Sequence, residues 1–240
     1  MLKVELHAHT SNDPFDWIPH STAELIDRAA ALGYDAVAIT LHDRQLDLSP
    51  WQQHARDRGV VLIPGIERTI EGKHVLLLNF STRSEQVRSF ADLAALKRDE
   101  KGLVIAAHPF FPGGSCLGQA LMDRHADLFD AVEHNAMFTR GLNFNAAAHR
   151  WARTCRKPIV GNGDVHRLRQ LGSTFTMVDA APNPDAICAA VRQDRVTLVA
   201  QPLSWLTAAW VMSQMFSGDV MNLLRPRLSE DRFSVAGSRS

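Results

Sequence analysis

The chain has 240 residues, 45% of them hydrophobic and 22% charged, and its 26 basic and 26 acidic side chains cancel to a net charge of zero. That size suits one α/β domain with a large core, and the charge balance excludes the overall basic footprint that drives nucleic-acid binding. Three cysteines, Cys116, Cys155 and Cys188, are too few, too scattered and odd in number for a disulfide framework, which points to a reducing, cytoplasmic setting. The first residues run through Lys3, Glu5 and His7 without an apolar run, so no signal peptide is expected.

In chain order, LKVELHAHT delivers His7 and His9 from one predicted strand, where alternate side chains share a face. TAELIDRAAALG predicts a helix capped by Ser21 or Thr22 and stopped at Gly33. DAVAITLH then ends in His42, and LSPWQQHARDRG, with Pro50 near its first turn, predicts a second helix. VVLIPGIE ends in Glu67, and KHVLLLNF begins with His74. The helical RSFADLAALKRDEKG precedes LVIAAHP, which ends in His108. DAVEHNAMF is another apolar strand, in which alternation turns either His134 or the pair Glu133 and Asn135 inward. GLNFNAAAHRWARTCRK predicts a helix before PIVGNGDVH, which delivers Asp164 and His166.

Apolar runs of this length read as strands buried on both faces, and their alternation with helices predicts parallel βαβ units. In a barrel of such units the carboxyl ends of the strands gather at one mouth. A single histidine at a strand end is more often a packing residue than a ligand. Two pairs and several single ligand types converging on one mouth read instead as a metal centre, whose mixture of imidazole and carboxylate suits Zn, Mn or Fe better than Ca. His54, His125 and His149 lie in charged helical stretches and read as surface residues.

Towards the carboxyl end, NPDAICAAVRQDRV predicts an amphipathic helix. PLSWLTAAWVMSQMFSGDVMNLLRP is apolar but interrupted by Ser213, Gln214, Ser217, Gly218 and Asp219, too broken for a membrane span. It is expected to pack on the barrel, with a homo-oligomer face or a membrane surface as alternatives, and residues 229–240 read as a loose tail. The expected division is a barrel over residues 1–202 and a carboxyl-terminal helix plus tail over 203–240.

HAHT, AITLHD, GIE, AHP and GDVH, in this order, resemble the successive motifs of the PHP (polymerase and histidinol phosphatase) family, from about residue 2 to residue 170. The resemblance implies a distorted (β/α)7 barrel, here with a helical carboxyl-terminal extension, and two or three divalent metal ions used to hydrolyse phosphate esters. It implies His7, His9, Asp13, His42, Glu67, His74, His108, Asp164 and His166 as ligands, with Glu67 bridging two ions; Asp16 and His20 are alternatives to Asp13, and the resemblance favours Glu133 and Asn135 over His134 as the inward residues of DAVEHNAMF. Two departures stand out: Leu41 occupies the place of a usual aspartate in the second motif, and the loop SNDPFDWIPHS lacks the common wording.

The expected activity is cleavage of a small phosphorylated substrate, a phosphomonoester or nucleotide-like ester, by a hydroxide bridging the ions. Glu67, Asp164 and His166 would be catalytic, and Thr40 or Asn135 would orient imidazoles. Arg68, Lys73, Arg140, Arg167 and Arg169 are candidate phosphate contacts, Arg140 and Arg167 favoured because both follow predicted strand ends. An amidohydrolase-like reading is weakened because no apolar strand ends in a suitable lysine. A degenerate metal-binding interaction module draws some support from Leu41.

Overall fold

The computed structural model describes residues 1–211 and 213. Nine strands form one sheet: β1 Leu2–Glu5, β2 Ala36–Ile39, β3 Val61–Ile70, β4 Lys73–Leu78, β5 Leu103–Ala106, β6 Ala131–Asn135, β7 Ile159–Asn162, β8 Thr174–Val178 and β9 Val196–Ala200. Their spatial order is β7-β6-β5-β4-β3-β2-β1-β8-β9. Six helices accompany them among the described residues up to β9: α1 Thr22–Ala31, α2 Gln52–Asp57, α3 Phe90–Asp99, α4 Gly118–Arg124, α5 Asn145–Cys155 and α6 Pro184–Arg192.

Strands β1 to β7 are the staves of a nearly closed, distorted barrel. The expectation of parallel strands throughout is corrected at two places: β4 runs antiparallel to β3 and β5, and β8 antiparallel to β1 and β9. The reversal at β4 follows from a two-residue turn, Glu71-Gly72, with both residues at positive φ, the conformation whose twist matches a tight hairpin. Because β4 runs backwards, its first residues, and with them His74, sit at the same end as the last residues of its neighbours.

The barrel closes between β1 and β7 through a few specific groups rather than a full ladder. At the mouth, Ala8 bridges Val165 in parallel fashion, with His9 N donating to the Val165 carbonyl at 3.1 Å and Val165 N to that of His7 at 3.1 Å. Below, the buried Glu5 carboxylate accepts the amides of His7 and Gly163, each at 3.0 Å. Burial pushes the Glu5 carboxyl up to about 8 despite these two donors. Lower still, the Thr176 hydroxyl of β8 accepts from Gly161 N at 2.8 Å and donates to Gly161 O at 3.0 Å. β8 thereby wedges the seam open at its base.

The barrel interior is filled by Val4, Leu6, Ile63, Leu76, Leu78 and Ile105 together with Ile187, Cys188 and Val191 of α6. α6 plugs the end opposite the mouth: Arg192 donates to the carbonyls of Lys101 and Gly102 just before β5, and Asn79, just after β4, donates to Asp185. Each aliphatic side chain taken out of water there contributes roughly 1.5–3 kcal/mol. Outside, α1 and α2 cover Val37, Ile39 and Leu62, while α3, α4 and α5 cover Ile66, Leu77, Val104 and Val132. The helix starts follow the sequence cues: Ser21 forms a capping box with Glu24, and Gly33 just past α1 takes positive φ.

Residues 205–211 form a further stretch of helix, and no helix among the described residues is long and apolar enough to cross a membrane. The remainder of the apolar carboxyl-terminal segment, and the tail expected over 229–240, lie outside the described residues.

Gly161 tests the closure. A Cβ added there would stand 2.4 Å from the Leu198 Cδ1 and 2.9 Å from the Phe175 carbonyl, so β7 reaches β8 and β9 only without a side chain. Gly161→Ala is expected to cost about 2 kcal/mol or more, and Thr176→Val about 1–3 kcal/mol through two unpaired backbone groups, both read from denaturant unfolding.

Candidate metal centre

At the mouth, strand ends and the loops after them bring eight of the nine expected ligand side chains into four overlapping triads. These are His9, His42 and His166; His7, His108 and Asp164; His7, His9 and Glu67; and His42, Glu67 and His74. In each triad the ligand atoms lie within 4.8 Å of one another. The Glu67 carboxylate is the hub and is 1% exposed. Its Oε2 stands 3.2 Å from His7 Nε2, 3.3 Å from His9 Nε2 and 3.1 Å from His42 Nε2. Its Oε1 stands 2.8 Å from His74 Nδ1 and 3.1 Å from His108 Nε2. Asp164 Oδ1 approaches His7 and His9 at 3.4 and 3.6 Å from the other side.

Electrostatics follow from this crowding. Burial opposes every charge here, yet mutual attraction wins: His7 and His42 hold Glu67 well below the ordinary carboxylate range. Asp164, Glu133 and Glu67 likewise raise His7 well above the ordinary histidine value. Backbone geometry also concentrates at the mouth, where His108 has φ 27° and Asp164 φ 48°. Non-glycine residues in that region cost about 1–3 kcal/mol each and persist where neighbours hold them. Glu133 accepts the His108 amide at 2.7 Å, and Gln170 Nε2 donates to the Asp164 carbonyl at 2.9 Å.

The donor set fits divalent metal ions. His7 Nε2 and His9 Nε2 are buried and make no hydrogen bond although carboxylate oxygens crowd them, an arrangement that suits lone pairs directed at a shared cation rather than N–H donors. The opposite ring nitrogens are held: His7 Nδ1 lies 2.8 Å from Glu133 Oε1, and His9 Nδ1 lies 3.0 Å from Asp13 Oδ2. Such carboxylates fix the tautomer and aim the free nitrogen.

Asp13 therefore stands behind the cluster rather than in it, a correction to its expected place among the ligands. One of its oxygens serves His9 Nδ1, His42 Nδ1 and His42 N, and the other accepts the amides of Phe15 and Asp16. The alternatives fall elsewhere. Asp16 lies at the mouth with Oδ2 3.0 Å from His166 Nε2, whereas His20 Nε2 meets the His9 carbonyl at 2.9 Å. Leu41 is buried in the outer apolar cluster with Ile39 and Leu62, facing away from the ligands. Thr40 bonds both backbone groups of Ala8 between the first two histidines, and Asn135 donates to Asp164 Oδ2; neither touches an imidazole.

On β6, Glu133 and Asn135 turn inward and His134 outward, where its Nδ1 lies 2.7 Å from His149 Nε2. His149 is thus a partner for His134 rather than a surface residue; His54 and His125 are half-buried beside Asp27 and Phe90. The expected arginines are not gathered at the mouth. Arg140 is exposed, and Arg167 is buried, donating to the His166 and Trp17 carbonyls with its guanidinium over the Trp17 ring. Arg68 pairs with Asp43 at 2.6 Å, Lys73 donates to the Gly114 carbonyl, and Arg169 lies over Trp210. Unforeseen were the supporting carboxylates of Glu5 and Glu133 as fixed anchors, Asn162 donating to Glu133 at 2.9 Å, and Cys116 Sγ, 3.5 Å from His108 Nδ1.

A family model described as PHP-associated matches residues 143–196. Over 68 residues the chain is 41% identical to DNA polymerase III PolC-type of Streptococcus pyogenes serotype M5, strain Manfredo; this is 28% of the chain and 5% of the polymerase, so the chain spans a small part of the curated relative's length. In fold it is similar to PsfC from Pseudomonas syringae PB-5123, with a TM-score of 0.60 at 17% identity, covering 92% of this chain and 98% of that one. It is also similar to a protein assigned as a metal-dependent phosphoesterase from Bifidobacterium adolescentis, with a TM-score of 0.55 at 15% identity, covering 68% and 87%.

Two measurements check this arrangement. Glu133→Gln is expected to weaken metal binding 10- to 100-fold in a competition titration, because the amide cannot serve both His7 and the His108 amide as acceptor. His134 is held down at about 4, by burial first and then by His149. Its neutral form is favoured, so this stability is fully present above the unfolded value near 6.5 and is lost as pH falls towards about 4. Between pH 7 and 4.5, His134→Leu should lose roughly 2 kcal/mol less stability than the parent, measured by urea unfolding.

Proposed function

We propose that this chain is a PHP-type, metal-dependent hydrolase of phosphate esters acting on a small phosphorylated substrate. The observation that carries the reading is Glu67, a buried carboxylate whose two oxygens face different imidazole sets, His7, His9 and His42 on one side and His74 and His108 on the other. A carboxylate so placed suits bridging of two ions, and the mixed imidazole and carboxylate set suits Zn, Mn or Fe. When bound, such ions supply positive charge at the phosphoryl oxygens and an activated water.

The remaining work falls to the chain itself. Asp13 and Glu133 fix His9, His42 and His7 in the orientation that leaves Nε2 directed inward. Asp164, held by Asn135, faces the same space as Glu67 and completes the inner ligand wall. Asp16 and His166 form a pair at the cavity edge, Oδ2 3.0 Å from Nε2, in which the carboxylate orients the imidazole beside the inner wall. Excluding bulk water strengthens each of these contacts, and all the ligand side chains are buried or half-buried.

Purified protein is expected to contain two or three transition-metal ions per chain by elemental analysis and to hydrolyse members of a panel of phosphomonoesters and phosphodiesters. Glu67→Gln should lower kcat by at least 10³-fold and reduce metal content, since it disturbs both imidazole sets at once. Hydrolysis undiminished in excess chelator, or surviving Glu67→Gln, overturns the reading.

A further inference from the structure

The cavity above the ligand cluster, about 630 Å³ in volume, has walls of a different character from its floor. Phe111 and Phe144 stand 5.4 Å apart between ring centroids, and Met137, Phe138 and Leu142, from the connection after β6, line the cavity with them. Trp205 and Ala208, from the helical stretch 205–211, roof it. Leu203 N donates to the Phe138 carbonyl at 2.8 Å, tying roof to wall. The Trp205 ring lies so close to Gly141 that a Cβ there would approach it to 2.9 Å.

Resting on the phosphoesterase reading, we propose that this vestibule selects phosphate esters whose alcohol carries a compact aromatic group. Among the described residues no lysine or arginine lines the cavity, so a second phosphate or a carboxylate on the substrate would find no lysine or arginine on the walls to pair with. The polar wall groups are few: Asn135 serves Asp164, Thr139 Oγ1 accepts the Leu142 amide at 3.0 Å, and Ser115 adds one hydroxyl. At the rim, Trp205 is 62% and Leu142 49% exposed, leaving apolar surface in water that a bound ring would cover. Tilted aromatic faces and edges match a planar ring better than a flexible chain or a sugar bearing several hydroxyls.

Calorimetry on the metal-reconstituted protein compares 1-naphthylphosphonate with methylphosphonate, which share the metal-directed group and differ in the ring. The naphthyl compound is expected to bind at least tenfold more tightly. The double variant Trp205→Ala, Leu142→Ala should cut that preference below threefold, and Gly141→Val should weaken it, whereas Leu206→Ala, beside the roof but 85% exposed, should keep it. In turnover, 1-naphthyl phosphate should exceed glycerol phosphate and adenosine 5′-monophosphate in kcat/KM by tenfold or more. Equal binding of the two phosphonates, a preference untouched by the double variant, or preference for the nucleotide overturns the proposal. Hydrolysis without aromatic preference leaves the phosphoesterase reading standing and removes this one; aromatic preference in binding with no ester cleaved does the reverse.

Discussion

Burying the Glu67 carboxylate at the centre of a protein mouth is affordable only because five imidazoles surround it, and much of the fold can be read as the means of keeping them there. An isolated carboxylate taken out of water loses far more free energy than one hydrogen bond returns. Here the compensation is distributed over residues from four segments, β1, β2, β4 and β5 or the loops that follow them, so no local piece of chain can form the site alone. The closure of the barrel and the assembly of the charge cluster are therefore one event. The same groups serve both: Glu5 accepts the His7 amide and the Gly163 amide, and the bridge between Ala8 and Val165 sits between the first histidine pair and the final Asp164 and His166.

A second tier of groups converts proximity into orientation. Each imidazole has two nitrogens, and which one faces inward is decided by what holds the other. Glu133 and Asp13 make that decision for three of the five, and Asn162 and the backbone amides of Phe15, Asp16 and His42 in turn hold those two carboxylates. Proton and metal ion compete for the same inward lone pairs. The carboxylates that raise the histidines by attraction are the same groups that would favour a divalent cation in the protons' place.

Much of this was legible in the sequence because strands buried on both faces have no structural use for an ionisable residue at their ends. His7, His9, His42, Glu67, His108, Asp164 and His166 announced themselves that way; alternation put Glu133 and Asn135 on the face opposite His134, and only the family resemblance chose which face turns inward. The residues misread are those whose position depends on chain direction or loop path. The Glu71-Gly72 turn, which reverses β4, is a short-range signal that was available but unread. Asp13 lies in an irregular loop with no period to fix its direction, and its several backbone donors are visible only once the loop is folded. Arg140 and Arg167 followed strand ends in sequence, but a long side chain can turn to a carbonyl or to solvent, and one did each.

The apolar vestibule was the least legible feature, for a physical reason. Phe111, Met137, Leu142 and Trp205 come from three separate segments, and each alone reads as ordinary core or surface. Only the folded arrangement sets a highly charged floor against walls with no cation among the described residues. On the proposed phosphoesterase reading that contrast divides recognition in two: charge at the floor would act on any phosphate alike, so discrimination among esters would come from the walls. Specificity would then reside in loops and in the carboxyl-terminal helix rather than in the barrel, leaving the ligand-bearing strand ends without a role in choosing the alcohol.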